Sequence, residues 1–427
     1  MQNESQRVLV VGGGAAAVVT AAALLDRDPD LEVVIVERSG LVGPGLAYGT
    51  TEPLHLLNNY AGRMSALEAD PGHLVRWCRD RGASATEETF LPRSVYGRYL
   101  AELAEALPVR RTQDEVCSVV DGRTSYLATC ASGARIEADA VVLALGNPPP
   151  RPMPALEAAS RHYVGNPWTP DLLDRIADGD EVLLVGTGLT MVDVAAQIGR
   201  HRPRARMFAV SRHGRLPLRH LPAGPGPAAP FAAEATTLSG LLAAVRTRLA
   251  AGADWRDLVE EVKLVANDLW AGLGEDGQRR FVRHVGRSWE VVRHRMAPPM
   301  AAVVDELRSE GRLTVTAAPH ADPAAYDLTV NCTGPAPVSA AGWNPLVDDL
   351  ASRGMLLPDR HGLGIDISAD GALRDGSGAA ARGLYVVGAG RRGREWEVAA
   401  VPDLRRQATA LAARLCADPA PVGALVG

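Results

Sequence analysis

Two glycine-rich turns hold the residues best suited to chemistry. The first, Gly12-Gly13-Gly14-Ala15-Ala16-Ala17, lies between "RVLVV" and "AAAVVTAAALLDRD". The second, Gly186-Thr187-Gly188-Leu189-Thr190-Met191, lies between "EVLLV" and "TMVDVAAQIGR". Each reads as a buried strand, a tight turn and the first turns of a helix. In the first, Gly12 permits the turn, Gly14 has no side chain to hold a phosphate away, and Ala17 lets helix and strand pack closely. A helix N-terminus placed there offers unpaired N–H groups to a diphosphate.

The residue ending the next strand separates the two turns. "LEVVIVE" ends at Glu37, which can bind ribose hydroxyls. "ARMFAV" is followed by Ser211-Arg212, then His213 and Arg215. An acid repels a 2′-phosphate, whereas serine and arginine bind one. The first turn therefore suits the ADP half of FAD, through Gly12, Gly14, Ala17 and Glu37. The second suits NADPH, through Gly186, Thr187, Gly188, Leu189, Ser211 and Arg212; a solvated arginine cluster is the alternative there. Two such nucleotides in one chain predict passage of reducing equivalents from a nicotinamide to a flavin.

These turns need two α/β frames, and 427 residues suffice for two or three domains. The expected fold class is α/β, with two dinucleotide-binding Rossmann-like domains and a helical insertion. Residues 1–150 are read as the first part of the FAD domain, 151–325 as the NADPH domain, and 326–427 as the C-terminal part of the FAD domain. "CSVV" and "SYLATC" read as strands of a small sheet joined by the turn "DGRT". "ADAVVLALGNPPP" reads as a buried strand closing on Gly146-Asn147, with prolines marking a crossing between domains. "YDLTVNCTGP" repeats that strand end. Residues 216–235, rich in Pro, Gly and Ala, read as a loop or lid. Residues 237–310 read as helical, with an N-cap at Asp254, and "MAPPMAAVVDEL" as a further helix. "GLYVVGAGRRGREWEVAAVPDLRRQATALAARL" returns to strand, glycine turn and helix, the helix starting near Ala399–Pro402.

Composition narrows the function classes. The chain is 47% hydrophobic and 22% charged, as soluble globular proteins are. No apolar run reaches membrane-spanning length and no signal-peptide pattern opens the sequence, so a cytoplasmic protein without a membrane partner is expected. Net charge is −5 and no long basic run occurs, which argues against nucleic acid. Lys263 is the single lysine, leaving little room for lysine-based covalent chemistry. Cys78, Cys117, Cys130, Cys332 and Cys416 form no C-x-x-C pair and no metal spacing, so reduced thiols and no metal site are expected.

The segments "GPGLAYGT", "LNNYAGRMSAL", "FLPRSVYGRYL", "LALGNPPP", "GTGLTMVD", "SRHGRLPLRH", "RHRMAPP", "NCTGP" and "GREWEVAAVPDLRRQA" together resemble a bacterial family of FAD/NAD(P)-binding proteins. The resemblance runs from about residue 7 to residue 415. Characterised relatives of that family include a urate hydroxylase and amino-acid N-oxygenases. More distantly, the layout resembles class B flavin monooxygenases and N-hydroxylases, which use FAD, NADPH and O₂ through a flavin hydroperoxide. Two departures stand out. In the Baeyer–Villiger fingerprint F-x-G-x-x-x-H, Thr169 occupies the histidine position after Tyr163-Val164-Gly165. In "VVGAG", Ala389 replaces the aspartate that most such flavoproteins place near the ribityl chain.

The resemblance implies that Met64 and Ser65 line the isoalloxazine ring. Further cofactor contacts are expected at Arg38, Val116, Gly146 and Gly388. His55, Asn58 and Asn59 are polar residues in an apolar loop and need partners, either a flavin edge or substrate, or local turn bonds. Arg93 can pair with a phosphate or substrate carboxylate, or lie at the surface. Trp396 and Glu397 can contact the flavin or form a buried structural pair. Arg293, His294 and Arg295 are costly to bury without anions, which an anionic substrate, NADPH phosphate or an acid such as Glu290 would supply. With Asn58 they are the catalytic-site candidates, expected in a cleft reached by both nucleotides. The leading expectation is an NADPH-dependent FAD monooxygenase acting with O₂ on a small polar or anionic substrate. The alternatives are an NADPH dehydrogenase or reductase without oxygen transfer, and a non-catalytic nucleotide-bound redox sensor.

Overall fold

The structure, a computed structural model, describes residues 6–122, 124–222, 229–232, 236–317 and 321–417. Its strands, in chain order, are β1 (Arg7–Val11), β2 (Glu32–Val36), β3 (Arg110–Thr112), β4 (Val116–Asp121), β5 (Tyr126–Cys130), β6 (Arg135–Ala138) and β7 (Ala140–Leu143). There follow β8 (Tyr163–Val164), β9 (Glu181–Val185), β10 (Arg206–Val210), β11 (Leu313–Thr316), β12 (Leu328–Asn331), β13 (Ala372–Arg374) and β14 (Ala380–Val386). The chain divides into two compact units, the first from residues within 1–51, 60–148 and 337–427, the second from 52–59 and 149–336. Both are α/β, as the two dinucleotide frames require.

The first unit is built on a sheet of order β13-β14-β7-β1-β2-β3. All its neighbours are parallel except β13 and β14. Strands β1 and β7 are almost wholly buried, which is why they read as continuous apolar runs rather than alternating ones. Helix Ala15–Arg27 packs against helix Val401–Ala417, and the alanines on both sides allow close approach. Strands β4, β5 and β6 form a small antiparallel sheet over which Pro345–Ser352 packs. That helix starts where it does because Asn344 Oδ1 accepts from the N–H groups of Leu346 and Val347 and proline takes the first helical position. The turn "DGRT" includes residue 123, which lies outside the described residues.

The second unit has an all-parallel sheet of order β11-β10-β9-β12-β8. Helix Leu189–His201 packs against Pro298–Ser309. Between β10 and β11 run Leu238–Ala250, Trp255–Leu264, Ala266–Gly272, Gly274–His284, Gly286–Arg293 and Pro298–Ser309, so the stretch from 237 to 310 is helical. Asp254 caps its helix by accepting from Arg256 N–H. Of the loop at 216–235, residues 223–228 and 233–235 lie outside the described residues; the rest is neither helix nor strand. No helix among the described residues is long and apolar enough to cross a membrane.

The same switch occurs in each unit. From β1 the chain moves outward to β2 and β3 on one side and returns as β7 on the other. From β9 it moves to β10 and β11 and returns as β12. Ligands of open parallel sheets bind at such switch points, beyond the carboxyl ends of the strands.

Candidate nucleotide-binding sites

The two glycine turns lie at those switch points and share a backbone. Gly12 has φ +97° and Gly186 φ +117°, a region L residues rarely adopt. A Cβ on Gly12 would stand 2.5 Å from the Ala144 carbonyl oxygen, and one on Gly186 2.3 Å from that of Cys332. Each turn is thus pressed against the exit of the returning strand. Gly12 N–H donates to Val36 O at 2.9 Å, and Gly186 N–H to Val210 O at 2.8 Å. Gly14 and Gly188 are the extended N-caps of helices Ala15–Arg27 and Leu189–His201. Neither has a side chain to cap with, so first-turn N–H groups await an acceptor. A Cβ on Gly188 would meet open space, and one on Gly14 only Gly45 Cα at 3.7 Å. At the third motif position Ala17 and Met191 are both fully buried.

The frames differ at the second glycine-turn residue and at the strand end. Gly13 N–H donates to Glu37 Oε2 at 2.7 Å, while Ser39 donates from N and Oγ to Oε1 at 3.1 Å each. In the second unit the same two places are Thr187 and Ser211, whose hydroxyls are 2.9 Å apart. Thr187 also donates to Arg215 O at 2.7 Å, and Ser211 Oγ accepts from Gly214 N–H at 3.1 Å. One turn is tied to its neighbouring strand by a carboxylate, the other by a pair of hydroxyls. Arg212 is exposed beside Ser211. Arg215 bonds Ser288 Oγ at 3.2 Å.

Other candidates in the first unit fall into two groups. Gly388, at φ +78°, lies two residues beyond β14, and a Cβ there would come within 3.6 Å of Ala16 Cβ. This sets the late glycine turn against the start of helix Ala15–Arg27. Gly388 N–H donates to Gln407 Oε1 at 2.8 Å; Gln407 Nε2 in turn donates to Glu395 Oε2 at 3.1 Å, and Arg391 Nε to Glu395 Oε1 at 2.8 Å. Sequence reasoning missed this relay, whose only local signal is the spacing Arg391–Glu395. Gly146 lies exposed beyond β7 at φ +73°. Trp396 is buried with Arg392 stacked 4.5 Å from its ring centre, and Glu397 is buried beside it. The second group lies elsewhere in the unit. Met64 and Ser65 are buried; Ser65 Oγ donates to Asp70 O at 2.7 Å, and Ser65 O accepts from Arg405 at 2.6 Å. Arg38 is exposed, 3.7 Å from Glu115. Arg93 opens helix Arg93–Ala106 next to Tyr48, and Val116 is buried at the start of β4.

His55 and Asn58 belong to the second unit. His55 Nε2 is 3.3 Å from Asp193 O, and its ring meets Trp168 edge-on at 5.9 Å. Asn58 O accepts from His220 Nε2 at 3.0 Å. The buried Glu52 meets His201 Nε2 at 2.7 Å and Arg200 at 3.5 Å. Burial pushes the Glu52 carboxyl up, but the bonds from His201 and Leu54 N–H and the Arg200 charge hold it below the usual range. Three ties therefore bind segment 52–59 into this unit. None is visible locally, because each partner is far away in sequence.

Arg293, His294 and Arg295 do not act as one cluster. Arg295 is 1% exposed and donates to Glu260, which also takes Lys263 Nζ at 2.8 Å. Trp255 stacks 5.8 Å from the Arg295 guanidinium. His294 faces Glu290, the acid expected for the group, and Arg293 is half-buried at its helix end. Next to Arg295, burial and that guanidinium push the His220 imidazole down to about 3. Thr169, at the Baeyer–Villiger histidine position, donates to Asp171. All five cysteines are unpaired, and burial raises each thiol above its usual range. Among the described residues no group of His, Cys, Asp and Glu is placed to hold a metal.

Residues 9–148 match the profile of a family described as FAD-NAD(P)-binding. No curated protein matches the chain in sequence. The ornithine hydroxylase of Pseudomonas aeruginosa is 15% identical with TM-score 0.62, over 96% of this chain and 98% of that one. The L-lysine 6-monooxygenase of Pseudomonas syringae is 16% identical with TM-score 0.59, over 96% and 99%. The thioredoxin reductase of Lactococcus lactis is 10% identical with TM-score 0.51, over 97% and 98%. The fold is that of the two-dinucleotide flavoproteins.

Proposed function

We propose that the chain is an NADPH-dependent, FAD-containing monooxygenase that adds one oxygen atom to a nitrogen or carbon of a small polar or anionic substrate. The observation that carries this reading is the exchange of Glu37 for Ser211 at the same place in two matching frames. Glu37 keeps acceptor lone pairs for ribose hydroxyls and repels a 2′-phosphate. Ser211 and the exposed Arg212 give the second turn a neutral hydroxyl in place of the carboxylate and a fixed positive charge, suited to that phosphate. The residues fit a diphosphate at both turns: Gly188 opens to free space and Gly14 meets only a glycine.

Bound at the first turn, FAD would supply hydride acceptance and the reaction of reduced flavin with oxygen. The chain's residues do the rest. Glu37 orients the ribose, and Gln407 holds the Gly388 turn against the start of helix Ala15–Arg27. Arg212 and Ser211 select the reductant. Arg293 is the substrate candidate of its trio, because it is only half-buried whereas Arg295 is 1% exposed. The absence of a C-x-x-C pair disfavours disulfide reduction, although a reductase shares the fold.

The test has two stages. NADPH, added without oxygen, should bleach the visible flavin band of the purified protein. With oxygen and an amino acid such as ornithine or lysine, NADPH oxidation should yield a product heavier by one atom of labelled oxygen. Bleaching without incorporation across amino-acid and purine panels would favour a dehydrogenase; no bleaching would favour a redox sensor.

A further inference from the structure

The chain is only 4% aromatic, yet four of its rings stand in file within the first unit. Tyr48 and Tyr96 have ring centres 4.6 Å apart, Tyr96 and Tyr99 5.6 Å, and Tyr99 and Trp77 5.5 Å. Tyr48 lies three residues beyond Gly45, which rests against Gly14 of the first glycine turn. At the other end Trp77 is 9% exposed; its Nε1 donates to Glu102 at 3.0 Å and Arg81 stacks 4.3 Å from its ring. The file therefore runs from the first turn's surroundings to a buried tryptophan flanked by the part-exposed pair Arg81 and Glu102.

Packing alone does not explain the phenols. Tyr96 is fully buried, and among the described residues its hydroxyl has no hydrogen-bond partner. Phenylalanine would fill the same space without that desolvation cost. Tyr99 is also fully buried, but its oxygen accepts from Ala66 N–H at 3.1 Å and lies 2.9 Å from His73 Nδ1. The backbone N–H fills one acceptor site of that oxygen, and with the His73 ring protonated at Nε2 its Nδ1 accepts the phenolic proton. Burial holds His73 below its usual pKa, hence neutral and able to accept.

We propose that Tyr48, Tyr96, Tyr99 and Trp77 form a conduit that carries one-electron oxidising equivalents away from the first nucleotide site, with Tyr99 and His73 as its proton-coupled resting place. A one-electron oxidant of the hydroxyl-radical class, formed from dioxygen, is reduced to hydroxide as one electron leaves Tyr99 by way of Tyr96 and Tyr48, and the phenolic proton moves to His73 Nδ1. Trp77 then returns an electron to Tyr99 as the proton goes back. A solvent reductant of the thiol or ascorbate class restores Trp77. Glu102 eases electron loss from Trp77 and offsets the opposing Arg81 charge. Tyr96, with nowhere to send its proton, bridges without holding the radical.

The source of the oxidant rests on the proposed oxygen chemistry. The test supplies its own, so the two can fail separately. The full FAD-loaded protein is photo-oxidised with tris(bipyridyl)ruthenium and persulfate, then frozen for electron paramagnetic resonance. A tyrosyl signal is expected that survives Tyr163→Phe and Tyr326→Phe and is lost in Tyr99→Phe. His73→Gln should cut its yield, and Trp77→Phe should slow its quenching by ascorbate. Melting curves for each variant show which are folded, and the His73 and Trp77 arms stand if Tyr99→Phe is not. A signal unchanged by Tyr99→Phe, or unchanged in both His73→Gln and Trp77→Phe, overturns the conduit.

Discussion

The glycine turns of the two units are alike where the backbone decides and different where a ligand would decide. Gly12 and Gly186 share positive φ, the same bond to the neighbouring strand and the same contact with the returning strand. Glu37 and Ser211 share a position but not a charge. The frame is thus a property of parallel-sheet geometry, and in the proposed function one or two side chains on it choose the nucleotide.

The largest expected effect tests what lies outside both frames. Arg295→Ala removes the guanidinium that the buried Glu260 faces, and breaking a buried pair costs about 3–5 kcal/mol. A large fall in melting temperature is expected, with the KM for substrate little changed in the folded fraction. A raised KM at an unchanged melting temperature would return Arg295 to the substrate site.

Next come the shared glycines. Gly12→Ala and Gly186→Ala force a side chain into positive φ and onto a carbonyl oxygen, at roughly 1–3 kcal/mol for the conformation alone. Thermal unfolding should show similar losses for both. A loss confined to one turn would break the equivalence of the frames.

Arg212→Ala sharpens their difference. A charge-assisted bond contributes about 1.5–3 kcal/mol, so NADPH affinity should fall roughly 10- to 150-fold while NADH affinity barely moves. Calorimetric titration of both nucleotides checks this; equal losses would remove the 2′-phosphate role.

The smallest effect at neutral pH, which grows only in acid, is the titration of His220 in the second unit. His220 is held near 3 in the fold, against about 6.5 when unfolded. Between those values unfolding takes up one more proton. This contribution is complete above pH about 6.5 and is lost at up to about 1.4 kcal/mol per pH unit as pH falls toward 3. His220→Gln should flatten that limb of the stability curve, measured by urea unfolding.

Much of the frame was legible in the sequence. Strands β1, β7 and β9 are largely buried on both faces, so each reads as an apolar run leading to a glycine, and β12 differs by its buried Thr329 and terminal Asn331. Glu37 and Ser211 were legible because the strand end is fixed by that run. Strand β6, "RIEA", alternates exposed and buried residues and is too short to declare itself. The acid facing Arg295 was not legible: helical spacing points to Glu290, but the chain turns after Arg293 and Glu260 arrives from another helix. Segment 52–59 hid its place for the same reason, since Asp193, His201 and His220 reach it through the fold alone.

One paired measurement bears most directly on the central claim that the two turns take different nucleotides. Gly14→Val and Gly188→Val each add a side chain where a diphosphate would approach, without a backbone clash at Cβ. FAD content and anaerobic bleaching by NADPH are measured for both. Gly14→Val should lose FAD, whereas Gly188→Val should keep its FAD and lose bleaching by NADPH. Full FAD in Gly14→Val, or loss of FAD in Gly188→Val, would contradict the assignment.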